Sequence, residues 1–533
     1  MTTTDQVVTR ERALFKAVDL DGDGRVAPAE LLAAFTRAGL TAGDPRLSEC
    51  TRALDSLTPQ SLDFDAFSAA VRPNILLVEK ALQGMLVIPD FPAFADDLEA
   101  IFADALRDRS GSVADYIPQL GRVEPEQFGV AACTIDGQRW SKGQADVDFC
   151  VQSTCKPINY CLALEEHGED TVHQYIGREP SGHGFNELRL NDHGKPHNPM
   201  INAGAIMACS LLRPELDIAD RFDFLMDRWR ALSGGTKPGF SNATYLSERA
   251  TADRNFALGY YMQERRAFPK GTNLVETLEF YFQCCSIEAT CQTMSVVAAT
   301  LANGGVCPIT GERVLSPRTV QNCLSLMSSC GMYDFSGEFA FTIGLPAKSG
   351  VAGAVMVVVP NVLGIVVWSP RLDRLGNSVR GIEFCRGLVQ RFNFHNYDSL
   401  TGLSEKRDPR RSRAQTATDE LTALIWAASK GDVTAVQQYA ARRVNLDAAD
   451  YDGRTPLHLA ASEGHEAVVR YLVGHGVQRS PVDRWGNTPL DDARRAGHTA
   501  VVRALGGDGA SLPPAPELSE PAPRKSKSVP AQA

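Results

Sequence analysis

The stretch Thr455-Pro-Leu-His-Leu-Ala-Ala461 returns 33 residues later as Thr488-Pro-Leu-Asp-Asp-Ala493, and more loosely 33 residues earlier as Thr422-Ala-Leu-Ile-Trp-Ala-Ala428. Gly431, Gly464 and Gly497 keep the same register. A fixed period of this length leaves few folds open. Each unit is a helix pair that cannot bury its apolar face alone, so successive units must stack. Thr-Pro opens the first helix of a unit, where the missing proline N–H has no partner to lose, and the glycine closes it. About three units are the minimum for a shared core, and the outer two read as caps.

The repeat accounts for residues 419–506 only, and a chain of 533 residues is too long for one further ordinary core. With 44 % hydrophobic and 22 % charged residues the composition is that of globular protein, and a net charge of −10 argues against a general nucleic-acid or anionic-membrane binder. No apolar run approaches the length of a spanning helix. The start, Met1-Thr-Thr-Thr-Asp-Gln-Val-Val8, carries no signal-peptide or Arg-rich transit pattern. Thirteen cysteines, an odd number scattered over residues 50–385, read as reduced thiols. The expected location is cytoplasmic.

Residues 1–100 form an EF-hand-like helical region. Asp19-Leu-Asp-Gly-Asp-Gly-Arg-Val-Ala-Pro-Ala-Glu30 fits a calcium loop: Asp19, Asp21 and Asp23 supply hard oxygens and Arg25 its carbonyl. Gly24 allows the sharp turn and Glu30 supplies a bidentate carboxylate. Leu14, Phe15 and Val18 before it, and Leu31, Leu32 and Phe35 after it, supply the flanking helices. The partner hand around Ser61–Phe67 lacks the full ligand set. Ca2+ at this loop is the expected ion; a relic that pairs helices without metal is the alternative.

Residues 101–398 read as α+β. Phe128-Gly-Val-Ala-Ala-Cys-Thr-Ile135 is a strand, and Asp136-Gly137 a hairpin signal before a second. Ala354–Val359 and Leu363–Trp368 are β-rich runs separated by Pro360-Asn361, while the long middle is helical in periodicity, as in Ser295–Ala302. Strands at both ends with helices between imply an antiparallel sheet closed by the segment's ends, plus a helical lobe. Residues 399–418 are a polar, basic linker, and 507–533, rich in Pro and Ser, are expected to be disordered. Within the α+β segment lies the chain's only S-x-x-K, Ser153-Thr-Cys-Lys156. If it opens a helix, the two side chains sit one turn apart, and a desolvated lysine can stay neutral and take the serine proton.

The repeats carry the ankyrin signature. The α+β segment resembles the serine-dependent glutaminases, whose fold is β-lactamase-like, through Ala114–Leu120, Lys195–Ile206, Gly239–Arg249 and Asp253–Tyr261. The match continues through Ala299–Gly305, Cys330–Gly337 and Gly344–Gly353. The order of EF-hand-like region, catalytic domain and ankyrin repeats is that of the animal kidney- and liver-type enzymes. The resemblance implies hydrolysis of L-glutamine to L-glutamate and ammonia, with Ser153 as nucleophile, Lys156 as its base and Tyr333 as a proton-relay partner. Backbone N–H groups of Ser153 and Val351 would form an oxyanion hole, and Lys348-Ser349-Gly350 would take the place of the strand-edge Lys-Thr/Ser-Gly. Tyr116, Gln152, Asn202, Glu248, Asn255, Tyr281 and Tyr333 would grip glutamine. No cofactor is implied for catalysis. A homo-oligomer is implied, a tetramer favoured, with a protein partner for the repeats. A loop that gates such enzymes in response to phosphate reads here His183-Gly-Phe-Asn-Glu-Leu-Arg-Leu-Asn191, with Glu187 in place of a lysine and Arg189 in place of an aromatic. That departure counts against phosphate activation. Two competing readings are a calcium-responsive ankyrin scaffold with an inactive core, and a β-lactam-processing serine enzyme; no Ser-Asp-Asn triplet supports the latter.

Overall fold

The computed structural model describes residues 3–19, 23–41, 43–57, 61–182, 184, 187–400, 406–411, 413–441 and 444–506. Asp21 of the expected calcium loop, His183, Phe185 and Asn186 of the loop expected to gate, and the 507–533 tail lie outside them. The chain divides into two compact units, Met1–Arg411 and Ser412–Ala533.

In the first unit, helices Thr3–Val18, Pro28–Arg37, Ser48–Leu57 and Phe64–Val71 make the N-terminal region. Leu14, Phe15, Val18, Leu31 and Phe35 are buried together, on the face their spacing assigns, with Leu32 packed at the margin. The two loops pair through Val26 and Leu62, whose N–H groups donate reciprocally at 2.9 and 2.8 Å. Glu30 stands four residues after Val26, and four residues after Leu62 the second loop has Ala66, a methyl where the first has a carboxylate. That is the physical form of the missing ligand set.

The catalytic segment is built on a five-stranded antiparallel sheet. Its strands are β1 (Gly129–Thr134), β2 (Arg139–Gly143), β3 (Ala347–Ser349), β4 (Ala354–Val359) and β5 (Leu363–Trp368), in the order β2-β1-β5-β4-β3. Strands from both ends of the segment lie side by side, as expected. Every residue of β1, β4 and β5 is buried, because both sheet faces are covered. Strand alternation sorts them: Ala131, Cys133, Met356, Val358, Val366 and Trp368 face one core, and Val130, Ala132, Val355, Val357, Ile365 and Val367 the other. The first core belongs to the helical lobe, of which four elements matter most: α1 (Lys156–Tyr175), α2 (Asn202–Leu211), α3 (Ile218–Leu232) and α4 (Leu274–Cys285). A fifth helix, α5 (Cys291–Ala302), lies flat on the sheet, so close that a Cβ on Gly364 would run into the backbone of Ala298 and Ala299. Helices Phe91–Ala105 and Val379–Arg391 cover the other face.

The β1–β2 hairpin turns at Asp136-Gly137, where Gly137 holds φ +80° and Thr134 N–H donates to Gln138 at 2.9 Å. The N-terminal region grips this hairpin. Gln138 Nε2 donates to the carbonyls of Ala38 (2.8 Å) and Ile88 (2.9 Å), Arg46 donates to Asp136 O (2.8 Å), and Arg139 N–H donates to Gly39 O (2.8 Å).

The second unit holds three helix pairs, Arg413–Lys430 with Val433–Ala441, Pro456–Ser462 with Glu466–Gly474, and Pro489–Arg495 with Thr499–Ala504. Thr455 and Thr488 are N-caps with proline next, and Gly431, Gly464 and Gly497 hold φ of 71°, 81° and 77°. The first repeat departs from its expected start. Thr422 lies inside a helix that begins at Arg413, within the segment read as linker. Ala423 replaces the proline that forces the preceding residue out of helical backbone in the other two repeats, so nothing stops the helix there. No helix among the described residues is long and apolar enough to cross a membrane.

Candidate active site

Strand Phe149–Cys150 pairs with Ile287–Ala289, and Val151 N–H donates to Ile287 O at 2.8 Å. The chain then tightens into a 3-10 turn, Gln152–Cys155, that feeds α1. Gln152 enters it at φ +46°, a left-handed backbone that costs a non-glycine residue about 1–3 kcal/mol. Its side chain holds it there: Nε2 donates to Glu248 Oε1 at 2.9 Å, and Oε1 accepts from the Tyr116 hydroxyl at 3.3 Å. The strained residue thus precedes Ser153 directly and sets its direction.

Lys156, at the first position of α1, is fully buried. Its Nζ donates to Asn202 Oδ1 at 2.7 Å, its only hydrogen bond among the described residues. Burial pulls its pKa below the ordinary lysine range. Asn202 opens α2, donates through Nδ2 to Asn255 Oδ1 at 3.0 Å, and accepts from the Tyr281 hydroxyl on α4 at 3.4 Å. Glu248, in helix Asn242–Ala250, is 7 % exposed and accepts from the Tyr116 hydroxyl at 2.6 Å. Burial raises its pKa, and the bonds from Tyr116 and Gln152 partly oppose the rise. Tyr116 keeps 48 % of its surface exposed while its hydroxyl end reaches inward.

From the other side comes Tyr333, also left-handed at φ +53° and pinned by Ser336, whose Oγ donates to Tyr333 O at 2.6 Å. Its phenol stands beside Ser153; burial pushes its pKa up, and the neighbouring serine hydroxyl moderates the rise. Beneath it Lys348, on the sheet-edge strand β3, is fully buried with Nζ 4.4 Å from the Tyr333 ring centre. Nζ donates to the carbonyls of Gly331 (3.1 Å) and Ser349 (2.7 Å). Burial first, then repulsion from Lys156, drives its pKa well down. After β3 the chain passes Ser153 closely: a Cβ on Gly350 would stand 3.6 Å from Ser153 N, and Val351 follows.

Ser153, Lys156, Tyr333, Asn202, Asn255, Tyr281, Glu248, Gln152 and Tyr116 therefore form one connected constellation, with Val351 at its rim. Ser336 and the ring contact of Lys348 were not legible. Ser336 acts through the backbone of a left-handed tyrosine, and a cation–ring contact leaves no spacing in sequence. Of the calcium loop, Asp19 accepts from Gly24 N–H (3.1 Å), Asp23 from Arg25 N–H (2.7 Å) and Glu30 from Ala27 N–H (3.1 Å). The Arg25 guanidinium turns to Ser61 Oγ (2.7 Å). The donor set is all hard oxygen and fits Ca2+, although among the described residues no three such side chains are gathered into a cage.

An antiparallel sheet with a helical lobe and a Ser–Lys pair beside its edge strand is the β-lactamase-like hydrolase architecture. Solved glutaminases share it. A probable glutaminase, ybaS, covers 56 % of this chain and 97 % of its own at 33 % identity and a TM-score of 0.54. The native form of Mglu covers 56 % and 72 % at 37 % identity and 0.53. The liver-isoform mitochondrial glutaminase of Mus musculus is 47 % identical over 443 residues, 82 % of this chain and 74 % of the relative. A Nostoc glutaminase is 40 % identical over 325 residues, 60 % of this chain and 95 % of the relative. The glutaminase family model matches residues 111–397, ankyrin repeats match 393–478 and 424–513, and an EF-hand domain matches 10–89. The chain belongs to the glutaminase family and hydrolyses L-glutamine to L-glutamate and ammonia. The scaffold and β-lactam readings fall with that result.

Proposed function

We propose that hydrolysis runs through an acyl-enzyme on Ser153. The observation that carries this is Lys156: fully buried and bonded to a neutral amide, one turn from Ser153. A lysine so placed is uncharged in a useful fraction and accepts the Ser153 proton as Oγ attacks the side-chain amide carbon. The developing oxyanion is met by the N–H groups of Ser153 and Val351, each such donor being worth about 10²–10³ in rate. The proton on Lys156 passes, with Tyr333 as relay, to the departing nitrogen, which leaves as ammonia. Water then adds to the ester as Lys156 takes its proton, and Lys156 returns that proton to Ser153 Oγ as the C–Oγ bond breaks, releasing glutamate and restoring Ser153. Glu248 takes the α-ammonium as a charge-assisted pair, while Tyr116, Gln152, Asn202, Asn255 and Tyr281 hold the rest of the amino acid. No cofactor enters these steps. Ser153→Ala is expected to abolish ammonia release while still binding glutamine; release at the unaltered rate overturns the nucleophile assignment.

The same reading gives Ca2+ to Asp19, Asp21, Asp23, Arg25 and Glu30, a cytoplasmic setting to an enzyme whose cysteines are all free and buried, and a tetramer built through the catalytic segment. Residues 419–506 offer the partner surface. Calorimetry with Ca2+ on the full chain and on Glu30→Gln tests the loop, and light scattering tests the assembly.

A further inference from the structure

At the opposite end of the helical lobe lies a second cavity of about 320 Å³ that the reaction does not use. It is enclosed by the late turns of α1 (His167, Thr171, Tyr175), the end of α2 (Ser210, Leu211), Arg221 of α3, and the start of α4 with the preceding Pro269–Asn273 loop. Arg221 is 4 % exposed, stacked 4.1 Å from the Phe280 ring. Its Nε donates to Leu212 O at 2.6 Å and one terminal nitrogen to Cys209 O. The other terminal nitrogen has no partner among the described residues, and no carboxylate lies within ion-pairing distance. A guanidinium buried without a counter-charge is costly unless a ligand supplies one.

The cavity's remaining unused groups define that ligand. Lys270, Thr171 and Tyr175 line it, and none of their side chains has a recorded partner among the described residues. His167 is committed through Nε2 to Leu211 O at 2.6 Å. The single acid is Glu276, whose Oε2 accepts from Asn273 Nδ2 at 3.0 Å, leaving Oε1 open. It faces the same space as Arg221 without pairing to it. A cation and a carboxylate held apart across one small cavity match a molecule carrying both opposite charges, and Glu276 disfavours a doubly charged anion such as phosphate.

We propose that this cavity is a second binding site for a small zwitterion of the α-amino acid class, its carboxylate on Arg221 and Lys270 and its ammonium on Glu276. The site bears on the catalytic centre through shared elements. Asn202 opens the same α2 whose far end lines it, and Tyr281 lies five residues beyond Glu276 on α4, about 7–8 Å along the axis at 1.5 Å per residue, whereas α1 breaks at Gly168 (φ 76°), ahead of Thr171 and Tyr175. Occupancy therefore changes the rigidity of the helices that hold the base's partners, and alters glutamine turnover without competing with glutamine.

Equilibrium dialysis of radiolabelled L-glutamate against the full chain tests it. The expected result is two sites per chain. Glu276→Gln loses or weakens one at least tenfold, Glu248→Gln loses the other, and the melting temperature of Glu276→Gln stays near that of the parent. Lys270→Met, at an exposed rim position, weakens the same site as Glu276→Gln. A single site abolished by Glu248→Gln alone overturns the proposal, as does the absence of any site sensitive to residue 276. Displacement of glutamate from that site by inorganic phosphate overturns the zwitterion assignment.

Discussion

Glu248→Gln separates what the active site needs from what the fold prefers. Glu248 is 7 % exposed, and the only described partners of its carboxylate are a phenol at 2.6 Å and an amide at 2.9 Å, neither carrying a positive charge. Burial accordingly raises its pKa above the unfolded value. The sign follows from linkage. A raised pKa stabilises the fold below the unfolded pKa, and that stability is lost as pH rises through the folded value. Above its folded pKa the free enzyme therefore carries a destabilising charge, and the uncharged isostere relieves it. Relief of this kind is worth about 0.5–2 kcal/mol, or a rise of about 1–4 °C in the catalytic unit's transition at roughly 2 °C per kcal/mol for a domain this size. Function moves the other way. Removing one member of a desolvated charge pair costs about 2–5 kcal/mol, so kcat/KM for glutamine falls about 30- to several-thousand-fold. Coupled ammonia assays across glutamine concentration, with differential scanning calorimetry on the same preparations, read both effects. A variant that melts lower, or keeps kcat/KM within about threefold, refutes the reasoning.

Lys156, lowered by burial, should give an activity limb that rises with pH and is half-complete below the ordinary lysine range; Lys156→Arg, which cannot release its proton, should be inactive throughout the pH–rate profile. Gly364→Ala puts a methyl into the backbone of α5 and is expected to destabilise the catalytic unit by about 1–3 kcal/mol, read as a lower urea midpoint. Thr488→Ala removes the cap in which Oγ donates to Asp491 Oδ2 at 2.7 Å, costing the repeat unit about 1 kcal/mol in calorimetry with glutaminase activity unchanged. The Asp491 carboxyl is held below its usual range chiefly by that bond, so its stabilisation is present above the unfolded pKa of Asp and is lost as pH falls through the lower folded value.

What the sequence discloses here depends on whether the cause is local. Thr455 and Thr488 cap helices because proline follows each, and both facts sit within two residues. Thr422 fails for an equally local reason that the looser match obscures, the absence of that proline. The buried strands are legible as apolar runs, but their division between two cores needs the second face, which only the distant helices Phe91–Ala105 and Val379–Arg391 provide. At the site, residue types are legible through the family resemblance, while conformation is not. Gln152 is held left-handed by Glu248, 96 residues away in sequence, and Tyr333 by a Ser336 hydroxyl bonded to its carbonyl, a serine three residues on that no motif marks. The carboxylate–guanidinium separation in the second cavity leaves no trace at all, since its walls come from four helices.

The contact between the N-terminal region and the β1–β2 hairpin has a consequence for the open edge of the sheet. β2 is the outermost strand of the sheet, and an outermost strand offers its free N–H and C=O groups to any neighbour able to pair with them. Gly39 takes the Arg139 N–H, and the Gln138 side chain is held by Ala38 and Ile88, so the EF-hand region covers the hairpin end of that edge. A chain trimmed at residue 111, where the glutaminase match begins, would keep every catalytic side chain, bare this strand and lose helix Phe91–Ala105 from the sheet's other face. Such a fragment should be recovered as strand-paired aggregates rather than as a smaller soluble enzyme.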